Sequence, residues 1–196
     1  VINGLGEASK LVEGNLNPIS SSILPHNRAQ SNDYDWSPDG NRLVYGLSRN
    51  GQSNLWVTAA DGSSNVQATW HNDPDLSVYN PFWASDGRRL AYLSRKSARA
   101  ETGENFSNTV WLVATDVRES KALFQAATSL RLLGWSATEQ ELILALFKSR
   151  IGIGQAEVEL LRVDVQSGLQ RTIAVLPKAY FSNIHLATDK RTIAFT

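Results

Sequence analysis

The chain has neither cysteine nor methionine among its 196 residues. The first absence excludes a disulfide framework, a zinc–thiolate site and a cysteine nucleophile, and leaves the redox compartment open. The second extends to position 1, so Val1 is not a translation start. The chain therefore reads as a processed, excised or partly observed piece, and no signal peptide can be read from it. An excess of one charge is also lacking, with 19 basic against 19 acidic residues, a net charge of zero and a pI near 7.0. A nucleic-acid surface needs a clustered cationic excess to displace counterions. Here Lys and Arg are scattered singly among carboxylates, and no direct nucleic-acid binding is expected. Apolar runs fall far short of the roughly 20 residues of a membrane helix, so no membrane insertion by this region is expected. What remains, 42% hydrophobic and 19% charged, is the composition of an ordinary globular chain.

Within that composition lies a repeat. Residues 36–45 read WSPDGNRLVY, residues 83–92 WASDGRRLAY, residues 135–144 WSATEQELIL and residues 186–195 LATDKRTIAF. The anchors Trp36, Trp83, Trp135 and Leu186 are 47, 52 and 51 residues apart, close to the roughly 40–50 residues of one four-stranded propeller blade. After each anchor comes a turn, Asp39-Gly40 and Asp86-Gly87 in the first two units, then apolar residues at every second position. Period-two alternation is the mark of a half-buried antiparallel strand, and Asp-Gly supplies the positive φ of a tight hairpin. A third strand is expected in residues 53–59, 107–115 and 158–164, and a fourth at 66–69, 122–124 and 169–175. The fold class is thus all-β, a β-propeller of four-stranded antiparallel blades. Trp36, Trp56, Trp83, Trp111 and Trp135 read as packing residues between neighbouring sheets, because stacking is what buries a blade's faces.

The strings WSPDGNRLVY and WASDGRRLAY, followed by a strand such as NLWVTAADG, resemble the WD-repeat-like unit of the TolB-like propellers. The resemblance covers three units from about residue 34 and a partial fourth. The third unit has Thr138-Glu139 and the fourth Asp189-Lys190 where the family turn has Asp-Gly, which puts local turn geometry in doubt. Blades are expected at 34–69, 79–125 and 130–176, with the end of a blade at 1–12 and the first half of one at 180–196. The two ends could close a composite blade in a four-bladed ring, or be cut edges of a larger one. A six- to eight-bladed ring is the expectation, since the resemblance implies commonly six blades and open edges aggregate unless paired. A periplasmic or extracytoplasmic location is implied by the resemblance alone.

Chemistry is harder to find. A serine hydrolase needs a GxSxG elbow; Gly46-Leu47-Ser48-Arg49-Asn50 lacks the second glycine and follows a propeller strand. The three histidines, His26, His71 and His185, sit in different units without HxH or HExxH spacing. Gly152 and Gly154 are not followed by the Lys-Ser/Thr of a phosphate loop, and a bend explains them. Asp33, Asp35 and Asp39 alternate as in a calcium loop, yet Asp39 is already the turn residue. No catalytic residue, metal or cofactor is assigned.

Blade-to-blade connections and the loops between strands two and three open on one propeller face. The linker at 13–31, which shows no strand period, the connection at 70–79, the stretch 95–107, read as a solvated insertion, and 177–180 would share that surface. Trp70, His71 and Asp73, with Tyr79, Arg95 and Tyr180, are its candidate contacts for a protein or peptide partner. The leading expectation is a non-catalytic interaction or sensor module. The alternative is a gating propeller of a multidomain serine peptidase, because the resemblance extends to the prolyl oligopeptidase and dipeptidyl peptidase families. A propeller lyase or glycosidase would need paired carboxylates or a metal at the axis, and no motif supplies them.

Overall fold

Short alternating segments separated by turns leave antiparallel hairpins as the local outcome, and the sheets are hairpins added one after another in chain order. The computed structural model describes residues 9–12, 15–18, 34–100, 103–116, 119–148, 155–180 and 183–195. Sixteen strands and no helix occur among them. Strands β1 (Ser9–Val12) and β2 (Asn15–Pro18) form a two-stranded sheet. The first four-stranded sheet is β3 (Tyr34–Trp36), β4 (Arg42–Arg49), β5 (Gln52–Ala59) and β6 (Asn65–Gln67). The second is β7 (Leu76–Trp83), β8 (Arg89–Ala100), β9 (Gly103–Ala114) and β10 (Ser120–Ala126). The third is β11 (Leu130–Trp135), β12 (Glu141–Phe147), β13 (Ala156–Asp164) and β14 (Gln170–Ala179). Strands β15 (Ile184–Leu186) and β16 (Ile193–Phe195) form a final pair.

Two segments depart from expectation. Strand β2 lies inside the stretch read as a strandless linker, and Pro18 sits at its end, where a missing N–H does least harm to a ladder. Residues 95–107 are not a loose insertion. The β8–β9 ladder runs on to Ala100 opposite Gly103, whereas β7 and β10 stop opposite Lys96 and Asn108. A two-stranded arm therefore projects roughly 13 Å beyond the sheet, at about 3.4 Å per residue.

The doubtful turns keep their geometry. Gly40 and Gly87 have φ of 68° and 64°, and Glu139 and Lys190 at the same place have 57° and 55°. Asp39, Asp86 and Asp189 fasten their turns by accepting the N–H of Asn41, Arg88 and Arg191 at 3.1, 2.8 and 2.8 Å. A left-handed non-glycine costs about 1 kcal/mol or more, and at Glu139 the side chain offsets it through the Ser85 N–H and the Lys190 ammonium.

The core lies between successive sheets. Val44 and Leu55 of the first meet Trp83, Leu90 and Tyr92 of the second. Leu93 and Val110 of the second meet Leu132, Trp135 and Leu142 of the third. Ile143 and Val158 of the third meet Ile184 and the partly buried Ile193. Trp83 and Trp135 are 6% and 3% exposed, as packing residues should be.

A second device ties neighbouring sheets. Arg42, six residues past Trp36, stacks its guanidinium 4.7 Å above the Trp83 ring and donates from Nη2 to the Gly87 carbonyl at 2.7 Å. Arg89, six past Trp83, lies 4.9 Å above the Trp135 ring, with Nη1 3.4 Å from the Glu139 carbonyl. At the third joint both members change together. Glu141 replaces the arginine and Leu186 the tryptophan, and Glu141 turns to Arg162 and Arg171 of its own sheet at 3.0 and 3.1 Å.

Inner strands are bridged as well. The Trp83 N–H donates to Asp35 Oδ2 at 2.8 Å, and the Leu132 N–H to Asn80 Oδ1 at 3.2 Å. Burial pushes the Asp35 carboxyl from 3.8 up to about 6, against the lowering effect of the Trp83 and Trp36 N–H groups. A raised carboxylate pKa means the folded state holds the proton more tightly than the unfolded one. Stability is then gained as pH falls from about 6 toward 3.8 and lost as it rises. Asp35→Asn keeps an acceptor without the charge, so it is expected to raise stability at pH 7.5 by roughly 1–3 kcal/mol. Most of the gain should be lost at pH 4.5, and urea titrations of both proteins at the two pH values would show it. An equal effect at both would refute the charge argument.

Candidate functional site

Antiparallel order gives the arc two unlike faces. One carries the turns β3–β4, β5–β6, β7–β8, β11–β12, β13–β14 and β15–β16, at 38–41, 60–64, 84–88, 136–140, 165–169 and 187–192. Their aspartates spend lone pairs on the turns' own N–H groups; Asp61 accepts from Ser63 at 2.9 Å and Asp164 from Ser167 at 2.7 Å. The Ser37 hydroxyl at Asp39, and the turn N–H groups at Asp61, Asp164 and Asp189, hold these carboxyls below their ordinary value. The opposite face carries the blade-to-blade connections and the β8–β9 arm, and all six candidate residues lie toward it.

The connection after β6 is fixed by Asn54, 4% exposed at the start of β5. Its Nδ2 donates to the His71 carbonyl at 3.0 Å, and its Oδ1 accepts from the His71 N–H at 2.7 Å and the Thr69 hydroxyl at 3.0 Å. Trp70 remains 44% exposed beside this clasp. The His71 ring turns inward, edge-on to Trp111 at 5.0 Å, with Nε2 2.9 Å from the Tyr92 hydroxyl, which donates to Ser120 Oγ at 2.8 Å. Burial pushes the imidazole below its ordinary pKa, with Asp73 opposing. The His71 ring thus joins the first two sheets through Trp111 and Tyr92. Asp73 pairs with Lys96 at 2.6 Å, and that ammonium holds its carboxyl low.

A second node centres on Asn108, fully buried at the start of the paired part of β9. Its Oδ1 accepts from the Tyr79 hydroxyl at 2.8 Å and from Arg95 Nε at 3.3 Å, and its Nδ2 donates to the Thr128 carbonyl at 2.7 Å. Arg95 also lies 4.7 Å over the Phe106 ring. Tyr79 and Arg95, 16 residues apart in sequence, therefore converge on one amide. Tyr180 stands apart, 72% exposed in the connection after β14. The structure thus groups Trp70, His71, Asp73 and Lys96 at one connection, Tyr79 and Arg95 at the next sheet, and Tyr180 a sheet further on.

Asn54 and Asn108 escaped the reading of the sequence, although the repeated Ser-Asn before each third-strand tryptophan was a signal. So did Arg131 at the start of β11, whose half-buried guanidinium is pushed below its ordinary pKa by burial and has no ion-pair partner among the described residues. No group of three or more His, Cys, Asp or Glu converges as for a metal among the described residues. Asp35 and Asp39 serve the separate backbone contacts given above, and Asp33, His26, Gly152 and Gly154 lie outside the described residues.

No family model matches the chain, and no curated protein matches it in sequence. Solved structures do match in fold. TolB from Acinetobacter baumannii superposes with a TM-score of 0.59 at 14% identity, covering 83% of this chain and 36% of that one. A putative TolB from Agrobacterium tumefaciens gives 0.56 at 17% identity, covering 90% and 64%. An acylaminoacyl peptidase in complex with a chloromethyl ketone gives 0.53 at 14%, covering 86% and 27%. The chain thus has a TolB-like β-propeller fold and spans about a third to two-thirds of the length of these TolB structures. At such identities the likeness carries the fold alone.

Proposed function

We propose that this TolB-like propeller arc is a non-catalytic interaction module that binds a protein or peptide on its connection face. The observation that carries the reading is the contrast between the faces. On the turn face Asp39, Asp61, Asp164 and Asp189 accept hydrogen bonds from within their own turns, whereas the connection face exposes Trp70 and Tyr180 by 44% and 72% and sets Arg95 beside Phe106 and the Asn108 node. Aromatic and arginine side chains on a rigid frame dominate interface energetics, at about 2 kcal/mol for each true hot spot.

Panning a random peptide library on the immobilised chain tests this. Peptides enriched on the parent should lose at least about tenfold in affinity for Trp70→Ala/Arg95→Ala/Tyr180→Ala, since about 1.4 kcal/mol is tenfold. They should keep it for Arg191→Ala on the turn face. The reverse pattern would move the site to the turns. The fold likeness to an acylaminoacyl peptidase supports a second reading, a propeller gating a separate catalytic domain. A GxSxG elbow in sequence contiguous with this chain would favour it.

A further inference from the structure

An unpaired strand edge invites another chain to pair with it unless the edge is short, kinked, or marked with Lys or Pro. The outer strands of the three full sheets are protected in these ways. Strand β6 has three residues. Strand β10 carries Lys121 and a register shift between Ala122 and Phe124, and β14 carries Pro177 and two register shifts against β13. The β8–β9 arm is built otherwise. Its ladder runs from Lys96–Ser107 to Ala100–Gly103 without a shift, and residues 103–107 of β9 hold neither Lys nor Pro.

One hydrogen bond fixes which way the arm's main chain points. The Ser97 N–H donates to the Asp75 carbonyl at 3.1 Å, so Ser97 turns its main-chain groups to the β7 side and away from β9. Its mate Phe106 therefore aims its own N–H and C=O away from β8, and Glu104 does the same two residues on. Asn108, in the same alternation, pairs on that side with Ala126 of β10. Past Asn108 the edge at Phe106 and Glu104 has no strand beside it among the described residues.

Donor and acceptor repeating about 7 Å apart match an extended backbone. A cation lies beside them. Arg95 is exposed, sits 4.7 Å over the Phe106 ring, and has no ion-pair partner among the described residues. A side chain placed opposite Phe106 would share that face. A second copy of the chain fits less well, because two edge residues bury far less than the roughly 1,200 Å² of a stable pair of globular chains. We propose that the outer edge of β9 past Asn108 is a template on which a partner peptide adds as a further strand, with an acidic residue opposite Phe106 and within reach of Arg95. The inference rests on the connection face being a peptide-binding surface and names how the peptide is held.

The test takes a peptide enriched by panning on the parent chain and remakes it with one N-methyl amide at a time. Affinity lost at every second position is the result expected of strand addition, and losses without that period would overturn the proposal. Glu104→Pro removes an edge N–H and leaves the β8–β9 bonds in place. It should weaken the peptide by at least about fivefold, the worth of one main-chain hydrogen bond, with no change in melting temperature. Arg99→Pro, the mate of Glu104 across the ladder, removes an N–H on the opposite edge and should bind as the parent does. Equal losses in the two variants would mean that the arm's integrity is needed rather than its β9 edge, and would refute the site. Changing the peptide's acidic residue to its amide should weaken binding to the parent and not to Arg95→Gln; an equal loss on both would overturn the charge match. Peptides that need Trp70 and Tyr180 but ignore Glu104→Pro would leave the connection-face reading standing and refute this mode alone, whereas panning that enriches none refutes both. An arm that pairs only with a second copy, seen as a dimer that Glu104→Pro dissolves, would refute the peptide as occupant.

Discussion

Replacing Gly168 by alanine is expected to destabilise the fold by about 2–4 kcal/mol, the sum of left-handed backbone strain and a backbone collision. Gly168 sits in the turn between β13 and β14 at φ 74°, and a Cβ there would lie 2.8 Å from the Leu123 carbonyl oxygen of the neighbouring sheet. That contact is with main chain, so no rotamer change relieves it. The turn is also where Lys121 crosses from β10, donating to the Val165 carbonyl at 3.4 Å and to that of Gln166. Backing away would break this crossing. Gly51 is the control, with φ of 75° and nothing within 4 Å of the place a Cβ would take. Gly51→Ala should cost about 1 kcal/mol from strain alone. The two variants compared by urea midpoint separate collision from strain, and equal losses would show that the sheets are not in contact at Gly168.

Glu139→Ala is expected to cost about 3 kcal/mol, in the range found when one partner of a largely buried, hydrogen-bonded ion pair is removed. Glu139 is 8% exposed. Its Oε1 accepts from the Ser85 N–H at 2.9 Å and from the Lys190 ammonium at 2.7 Å, and Arg89 Nη2 lies 3.5 Å from Oε2. One carboxylate thus holds the second, third and fourth sheets together. Burial pushes its pKa up, but Lys190 and the Ser85 N–H outweigh that, and the carboxyl ends below its ordinary 4.5. With a depressed folded pKa, its contribution is present in full above about 4.5 and is lost as pH falls through the folded value. Glu139→Gly should cost about 1 kcal/mol less than Glu139→Ala, because glycine is at ease at φ 57°. Thermal unfolding at pH 7 and pH 3.5 would check both points; a loss equal at the two pH values would mean that the carboxylate charge contributes nothing.

These two sites show what the sequence exposes. Alternation after each anchor made the strands legible, and Asp39-Gly40 and Asp86-Gly87 made the hairpins legible. Thr138-Glu139 looked like a degraded turn because its compensation comes from Ser85, Lys190 and Arg89, all about 50 residues away or more. No local pattern contains that. The arginines at +6 were visible, yet each partner ring belongs to the next repeat, so a pairwise reading between units was needed to see the joint. The β8–β9 arm was missed for another reason: its composition is polar, so no apolar alternation marks its strands. At the connection face, exposed aromatics could be named from sequence. Their organisers, Asn54 and Asn108, could not, because a buried amide differs from a surface one only in what surrounds it.

The unequal joints give the arc an uneven elasticity. Stacked repeats transmit load only to their neighbours, so the compliance of the whole is set by its softest link. Two links are pinned by a guanidinium wedged between an indole and a carbonyl, while the third relies on the packing of Ile184, Leu186 and Ile193 and on the Lys190–Glu139 pair. Bending should therefore concentrate there, with Leu186 as pivot and the first three sheets moving as one stiff body. Trp70 and the Asn108 node ride on the stiff part, whereas Tyr180 sits beside the hinge.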